Sequence, residues 1–173
     1  MRNPRIKICC ISSIAEARLA ISCGASALGL VGNMPSGPGV IEDDLIRSIA
    51  QSVAPPIATF LLTSETSAEE IIAHHQRTFT NTIQIVDTLQ DENCEALRKA
   101  LPHIKIVQVV HVINEQSIDE ALRLSTSVDA LLLDSGNPNL AVKELGGTGR
   151  IHNWKLSRKI VEQVKIPVFL AGD

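Results

Sequence analysis

Short apolar runs alternate along the chain with amphipathic stretches that begin at polar residues. The runs are rich in β-branched residues and are bounded by glycine, proline or polar residues. This pattern is typical of strands that are buried on both faces of a parallel sheet. The sequence predicts seven such strands, over residues 6–9, 27–31, 57–62, 82–86, 104–110, 130–133 and 167–171.

The stretches between the strands repeat their apolar residues with the period of an α-helix. Two of these stretches carry recognisable helix ends. Gly24 is placed to end the first helix, and Ser67 with Glu70 forms a capping-box pattern at the start of the third. The sequence predicts six helices, over residues 13–23, 42–53, from 67 onward, 91–101, 117–124 and 154–164.

Strict alternation of strand and helix predicts an α/β fold with a parallel sheet. Two architectures fit this order, a (β/α)8 barrel of the TIM type and an open doubly wound sheet, and the barrel is favoured. Seven strands and six intervening helices make an incomplete barrel, so residues 1–173 are expected to form a single domain that lacks the last βα unit. The edges of the first and seventh strands are then open, which leaves room for a homo-oligomer that covers them.

Composition excludes several classes of protein. The 173 residues are 45% hydrophobic and 20% charged, as in ordinary globular domains, but only 2% are aromatic, so aromatic stacking platforms for bases are not widespread. The net charge of −3 argues against a nucleic-acid partner. No apolar run approaches the ~20 residues of a membrane span, and no secretory signal pattern is present. We therefore expect no membrane partner and a cytoplasmic location.

Two residues that end predicted strands are candidates for chemistry, since ligands of such folds bind at the carboxyl ends of the strands. Cys9 ends the first strand, where a thiolate acts as a base or nucleophile and a thiol is otherwise a small buried hydrophobe. Asp134 directly follows the four apolar residues of the sixth strand. A carboxyl there suits a general acid, and a helix cap or loop acceptor is equally open.

The remaining polar signals are weaker. The Gly-Gly-Thr-Gly-Arg stretch at residues 146–150 exposes backbone N–H groups that can cradle an anion, or it is a flexible loop. His111 is the histidine expected near a pocket, although a role in the core or at the rim is favoured. His74 and His75 are expected on a helix surface. The four cysteines lack the paired spacing of a zinc site, and no metal is expected.

Three segments taken together resemble the phosphoribosylanthranilate isomerase family. They are Lys7-Ile8-Cys9 in the first strand, Asp134 at the end of the sixth, and residues 146–150 before Asn153-Trp154. That family opens with a Lys-Ile-Cys-Gly strand and carries a Leu-Leu-Asp strand end, a Gly-Gly-Thr-Gly loop before an Asp-Trp pair, and a late Leu-Ala-Gly-Gly strand end. Order and spacing match along essentially the whole chain.

The resemblance implies a barrel of the ribulose-phosphate-binding type and an isomerase, an intramolecular oxidoreductase of tryptophan biosynthesis. The reaction is an Amadori rearrangement of a small phosphosugar, N-(5-phosphoribosyl)anthranilate, and needs no cofactor. By motif, Cys9 is the general base that removes the proton from C2 of the sugar, and Asp134 is the general acid that protonates the ring oxygen. The residues implied in substrate and phosphate binding are Lys7, Gly146, Gly147, Thr148, Gly149 and Gly172.

Several positions depart from the family pattern. Cys10 stands where the family has glycine, and residues 34–39 lack the arginine that contacts the substrate there. Asp87 falls in the strand end that usually reads Gln-Leu-His-Gly. Asn153 replaces an aspartate, and Asp173 replaces the second glycine of the phosphate loop. These departures support an alternative, a non-catalytic or substrate-altered paralogue that acts as a binding or interaction module.

Overall fold

The computed structural model describes residues 4–136 and 153–171 of the chain. The predicted anion loop at residues 146–150, Gly172 and Asp173 lie outside these residues. The strands are β1 (Lys7–Ile8), β2 (Ala27–Val31), β3 (Ala58–Thr63), β4 (Thr82–Ile85), β5 (Lys105–His111), β6 (Ala130–Asp134) and β7 (Val168–Leu170). The helices are α1 (Ile14–Ser22), α2 (Asp43–Ser52), α3 (Ala68–Thr78), α4 (Asp91–Ala100), α5 (Gln116–Leu124) and α6 (Trp154–Gln163).

All seven strands are parallel and stand in sequence order in one sheet, β1 to β7. Neighbours in the sheet are neighbours in the chain, which is the order of a (β/α)8 barrel and not that of a doubly wound sheet. Within the described residues, β1 pairs with β2 alone and β7 with β6 alone. The predicted incomplete (β/α)8 barrel is confirmed.

Alternation of side chains along each strand divides the core into two layers. One set of apolar side chains faces the inside of the barrel, among them Val31, Leu62, Val109 and Leu132. The other set packs between the sheet and the helices, in two clusters that bury residues such as Leu30 and Ile83 almost completely. This burial on both faces explains why the strands read as continuous apolar runs.

Three helix ends carry capping residues that can be recognised in the sequence. The side chain of Ser67 accepts a hydrogen bond from the Glu70 N–H at 3.2 Å, so the predicted cap of α3 is present. Gly24 follows α1 with a φ of +97°, a conformation that glycine adopts without steric cost. Asn153 caps α6 by accepting from the N–H groups of Lys155 and Leu156. Asparagine caps a helix as well as aspartate does, so this departure from the family leaves the helix start intact.

The prediction that His74 and His75 lie on a helix surface is wrong. Both are buried, with exposed fractions of 3% and 7%. His74 links two helices to the sheet, because its Nε2 lies 3.0 Å from Asp43 Oδ1 of α2 and its Nδ1 lies 3.0 Å from Thr63 Oγ1 of β3. Asp43 also accepts from Arg77 Nε at 2.5 Å. The prediction of a surface position failed because the hydrogen-bond partners of the His74 ring, Asp43 and Thr63, lie outside its own helix.

This network suits a neutral His74 ring. The Asp43 carboxylate only accepts, so Nε2 carries the proton, and Nδ1 accepts from the Thr63 hydroxyl, which itself accepts from the Glu65 N–H at 3.3 Å. Burial lowers the pKa of His74 below its ordinary value of 6.5, and the Arg77 charge lowers it further while Asp43 opposes both. Protonation would put a second donor opposite the Thr63 hydroxyl.

We predict that the protein loses stability as the pH falls below about 6.5. The unfolded chain then binds a proton at this histidine that the folded chain resists, so stability is present above pH 6.5 and is lost on acidification. The check is the free energy of urea unfolding at pH 7.5 and pH 5.5, for the wild type, His74→Gln and the exposed control His103→Gln. The pH dependence should shrink in His74→Gln and persist in the control. Equal pH dependence in all three proteins would contradict the assignment.

No helix among residues 4–136 and 153–171 is long and apolar enough to cross a membrane.

Candidate functional site

A cavity of about 1080 Å³ occupies the inside of the barrel. Its walls are mainly the aliphatic side chains that the strands point inward. Polar groups come together where the strands end at their carboxyl side, the position expected of a ligand site in this architecture. Among the polar or sulfur-bearing residues that line the cavity are Lys7, Cys9, Cys10, Gln84, Asp134 and Ser135.

Cys9 follows β1 directly and lines the cavity with an exposed side chain. It lies against Gly29 in the middle of β2. A Cβ atom added at Gly29 would stand 2.8 Å from the Cys9 Sγ and 3.1 Å from its Cα, closer than side chains tolerate. The absence of a side chain at Gly29 therefore sets where the thiol sits. Sequence reasoning did not single out this role, although a glycine inside a strand is the usual signal of a close approach.

We predict that Gly29→Ala displaces Cys9 and costs about 1–3 kcal/mol of stability, the usual cost of overpacking. The displaced thiol should react with iodoacetamide at a changed rate. Mass spectrometry of the peptide that carries Cys9 measures that rate, and urea unfolding measures the stability. The exposed Cys23 serves as the internal control, because its alkylation rate should stay constant. A variant with unchanged stability and an unchanged Cys9 rate would contradict the contact.

Cys10 occupies a conformation that favours glycine. Its φ is +59°, in the left-handed region that costs a side-chain-bearing residue about 1–2 kcal/mol. Its side chain lies on the loop after β2, where the thiol donates to the Pro38 carbonyl oxygen at 3.5 Å and a Cβ at Gly39 would stand 2.5 Å from the Cys10 Cβ. Burial raises the pKa of the Cys10 thiol, and the neighbouring Cys9 raises it further. Cys10 thus packs beside the loop at the cavity wall.

Lys7 brings a cation into the barrel. Its Nζ donates to Gln84 Oε1 of β4 and lies 4.8 Å from the centre of the Phe60 ring, a cation–π distance. Burial lowers the pKa of Lys7, while a hydrogen bond with Cys9 and the negative charge of Asp134 oppose that effect. The ammonium therefore interacts with both residues that the sequence proposed for acid–base chemistry.

Asp134 ends β6 at the rim, where it is buried with an exposed fraction of 6%. Its main-chain carbonyl accepts from the Val112 N–H at 2.9 Å, which ties the ends of β5 and β6 together. His111, the last residue of β5, stands opposite Asp134 in the sheet register. Cys9 and Asp134 thus line one cavity, of which His111 is not a lining residue, and the roles of Cys9 and Asp134 stay predictions.

Other residues that the sequence analysis named add little to the polar groups of the cavity. Asp87 follows β4, is buried, and accepts from the Thr88 N–H at 2.8 Å. The loop after β2 contributes Met34, Ser36, Gly37 and Pro38 to the cavity wall. Within residues 4–136 and 153–171, no three histidine, cysteine, aspartate or glutamate side chains come together to hold a metal ion.

The described rim can support proton transfer at two positions. A thiol beside an ammonium lies at the end of β1, and a buried carboxyl lies at the end of β6. An ammonium stabilises a neighbouring thiolate, which is the basic and nucleophilic form of cysteine. A pocket with a base and an acid at separate points suits a reaction that removes one proton from a substrate and adds another elsewhere.

Comparison with known proteins identifies the family. The family described as N-(5'phosphoribosyl)anthranilate (PRA) isomerase matches residues 6–173. The chain is 37% identical over 169 residues to N-(5'-phosphoribosyl)anthranilate isomerase 2 of Methanosarcina mazei, and the match covers 97% of this chain and 74% of that protein.

Solved structures show the same fold. The crystal structure of phosphoribosyl anthranilate isomerase from Thermotoga maritima has a TM-score of 0.80 and 24% identity, covering 99% of this chain and 78% of that one. A phosphoribosyl anthranilate isomerase in complex with reduced 1-(o-carboxyphenylamino)-1-deoxyribulose 5-phosphate has a TM-score of 0.76 and 23% identity, covering 98% and 76%. The chain therefore belongs to the N-(5'-phosphoribosyl)anthranilate isomerase family of enzymes.

Proposed function

We propose that this member of the family catalyses the Amadori rearrangement of N-(5'-phosphoribosyl)anthranilate to the carboxyphenylamino-deoxyribulose phosphate, with Cys9 as general base and Asp134 as general acid. One observation carries the proposal. Cys9 and Asp134 end different strands and line one cavity, and the Lys7 ammonium inside that cavity interacts electrostatically with both. A bound small molecule would meet a base, an acid and a fixed positive charge together.

The reaction uses the acid first. Asp134 gives its proton to the ring oxygen of the ribose, the bond from that oxygen to C1 breaks, and the nitrogen lone pair forms the C1=N bond. The Cys9 thiolate then takes the proton from C2, the electron pair of the C2–H bond forms C1=C2, and the π pair of the C1=N bond returns to the nitrogen, which gives an enolamine. Tautomerisation moves a proton from the C2 hydroxyl to C1 and forms the ketone. The substrate gains and loses equal numbers of protons.

Lys7 supports the base step in this scheme. Its ammonium lines the same cavity as Cys9, and a cation near a cysteine favours the thiolate that would take the C2 proton. Gln84 and the Phe60 ring hold the ammonium from the other side. We propose that Lys7 also faces the bound substrate, since it lines the same cavity.

Binding of the phosphate is assigned by motif alone. We propose that Gly146, Gly147, Thr148, Gly149 and Gly172 hold it through backbone N–H groups, which lie outside the described residues. The anthranilate ring would then meet the loop after β2, whose lining includes the apolar Met34 and Pro38. Remote phosphate binding would orient the sugar between the acid and the base.

The direct test is the loss of substrate fluorescence when purified protein is mixed with phosphoribosylanthranilate. Turnover is the expected result, and it should need no added metal or cofactor. A folded protein that binds phosphoribosylanthranilate but does not turn it over would contradict the proposal and favour the non-catalytic binding module. Circular dichroism of the same sample separates that outcome from misfolding.

We further propose that residues 1–173 belong to one barrel domain, that a second copy of the protein covers the apolar side chains exposed at and beside β1 and β7, and that the protein works in the cytoplasm, where its four free cysteines stay reduced. Apolar side chains are exposed on the edge strands and beside them, including Ile6 (49%) and Leu170 (55%). Exposed edges of this kind pair readily with another chain.

We expect a dimer in analytical ultracentrifugation that Ile6→Lys together with Leu170→Lys converts to a monomer, because a charge at each edge opposes strand pairing. The matched control is Leu19→Lys on α1, which is also exposed but lies away from the edges. A wild-type monomer, or a dimer that is insensitive to both edge changes, would refute this assembly.

A further inference from the structure

The loop after β2 covers residues 32–42 and joins the end of that strand to the start of α2. The residues of this loop that line the cavity are Met34, Ser36, Gly37 and Pro38. The Pro38 carbonyl oxygen accepts from the Cys10 thiol at 3.5 Å. The position of the loop therefore helps to shape the cavity wall next to Cys10.

The buried ring of His74 lies against both ends of this loop. At the start, a Cβ atom added to Gly32 would overlap the ring at Cε1, so the ring packs directly on the main chain there. At the far end, α2 begins with Asp43, whose Oδ1 lies 3.0 Å from His74 Nε2. The Thr63 hydroxyl at the end of β3 lies 3.0 Å from Nδ1. One side chain of α3 thus connects the two ends of the loop to the sheet.

Main-chain hydrogen bonds tie the same two ends to neighbouring strands. The Gly32 N–H donates to the Leu62 carbonyl oxygen at 3.0 Å, and the Ile41 N–H donates to the Val31 carbonyl oxygen at 2.9 Å. Such amides report how firmly each end is held, because a protected amide exchanges its proton with solvent only when its hydrogen bond opens.

The charged groups around the ring favour a neutral His74. Burial lowers its pKa most, and the Arg77 charge on α3 lowers it further, while Asp43 of α2 and Glu65 before α3 oppose them. The pKa lies below its ordinary value of 6.5, so the ring is neutral at pH 7.5. A neutral ring has one donor and one acceptor, which match the Asp43 carboxylate and the Thr63 hydroxyl.

We propose that His74 is a positioning residue for the loop after β2 and thereby sets how tightly the cavity binds its substrate. This inference rests on the proposed function, because it gives the loop a part in holding phosphoribosylanthranilate. The ring holds Gly32 and Asp43 in place, and the cavity-lining residues of the loop lie between them. Without the ring, binding must also order the loop, and that cost lowers affinity. The proton transfers are spared, because Cys9 and Asp134 stand at the ends of other strands, β1 and β6.

The test that needs no turnover is hydrogen exchange at pH 7.5, read by mass spectrometry of peptides that span residues 32–42. It compares the wild type with His74→Asn and the matched control His75→Asn. His75 is also buried on α3, but its Nε2 lies 2.7 Å from the Thr80 carbonyl oxygen, beyond the carboxyl end of that helix. Asparagine is too short to reach the Nε2 partner of either ring.

Exchange in residues 32–42 should be about tenfold faster in His74→Asn, the factor expected for the loss of a hydrogen bond to a charged group. In His75→Asn it should match the wild type, although both variants lose a buried ring from the same helix. Equal exchange in the two variants would overturn the proposal.

A second variant disturbs the contact from the side of the loop and keeps His74 with its hydrogen-bond partners. Gly32→Ala adds a methyl group that overlaps the ring, so the loop and the ring must move apart. It should speed exchange in residues 32–42 as His74→Asn does, and it decides the proposal if His74→Asn does not fold. Wild-type exchange in a folded Gly32→Ala protein would overturn the proposal.

Kinetics separate binding from chemistry. His74→Asn and Gly32→Ala should each raise KM for phosphoribosylanthranilate by about tenfold, the scale of ordering one or two side chains on binding. Each should leave kcat within about twofold of the wild type, because the lost interaction is one of uniform binding. His75→Asn should keep both constants. A fall in kcat with an unchanged KM would overturn the inference.

The two readouts distinguish failure of the inference from failure of the proposed function. If the wild type turns nothing over, the proposed function fails, and the exchange comparison still decides whether His74 holds the loop. If turnover is present but His74→Asn matches His75→Asn in exchange and in KM, only the inference fails.

Discussion

Replacing Cys9 by alanine is expected to lower turnover of phosphoribosylanthranilate by about 10²–10⁴-fold, the contribution of a positioned general base. The substitution removes the sulfur that would take the proton from C2. It should leave the fold in place, because the side chain is exposed and such changes usually cost within about 0.5 kcal/mol. The measurements are the fluorescence assay and urea unfolding of both proteins.

The matched control is Cys23→Ala, which removes an exposed thiol at the end of α1, away from the cavity. It should keep wild-type turnover. Cys9→Ala should also let the pKa of Lys7 fall further, because the Cys9 hydrogen bond and charge raise it against burial. Full turnover by a folded Cys9→Ala protein would refute the assignment of the base.

Replacing Asp134 by asparagine should have an effect of similar size, about 10²–10⁴-fold in kcat. The amide keeps the shape of the carboxyl but has no acidic proton for the ring oxygen. The loss should appear in kcat more than in KM, because the proton transfer belongs to the transition state and not to substrate binding. Steady-state kinetics on the fluorescent substrate separate the two constants.

A control for charge alone is Asp119→Asn, an exposed carboxyl on α5. It changes the net charge by the same amount and should leave both constants unchanged. If Asp134→Asn retained the wild-type kcat, the general acid would have to be sought elsewhere. Removal of this carboxylate also withdraws a charge that raises the pKa of Lys7, so burial should then lower that pKa further.

The departures from the family pattern differ in their structural consequences. Asn153 supplies the same helix cap as an aspartate, so nothing is lost there. Cys10 has a cost, because it holds a φ of +59° where glycine is unstrained. The loop over residues 34–39 presents apolar and small side chains to the cavity in place of an arginine. Cys10 and this loop both line the cavity, whereas Asn153 is not one of its lining residues.

The sequence by itself determined the order of strands and helices, the helix caps at Ser67 and Gly24, and the position of Cys9 and Asp134 at strand ends. These properties follow from local patterns, since the period of apolar residues and the chemistry of a cap involve residues only a few positions apart. Strict alternation predicts a parallel sheet and favours the barrel over the doubly wound sheet, and the strand order β1 to β7 of the structure decides for the barrel.

Only the tertiary structure decided which of these residues meet. The Lys7 ammonium reaches Gln84, 77 residues away, and the closure of β1 against β2 places Gly29 against the Cys9 sulfur. The burial of His74 and the register of His111 with Asp134 have the same origin. Contacts between strands and helices far apart in sequence depend on register and curvature of the sheet, which no local pattern encodes, and these contacts determine which polar side chains share the cavity.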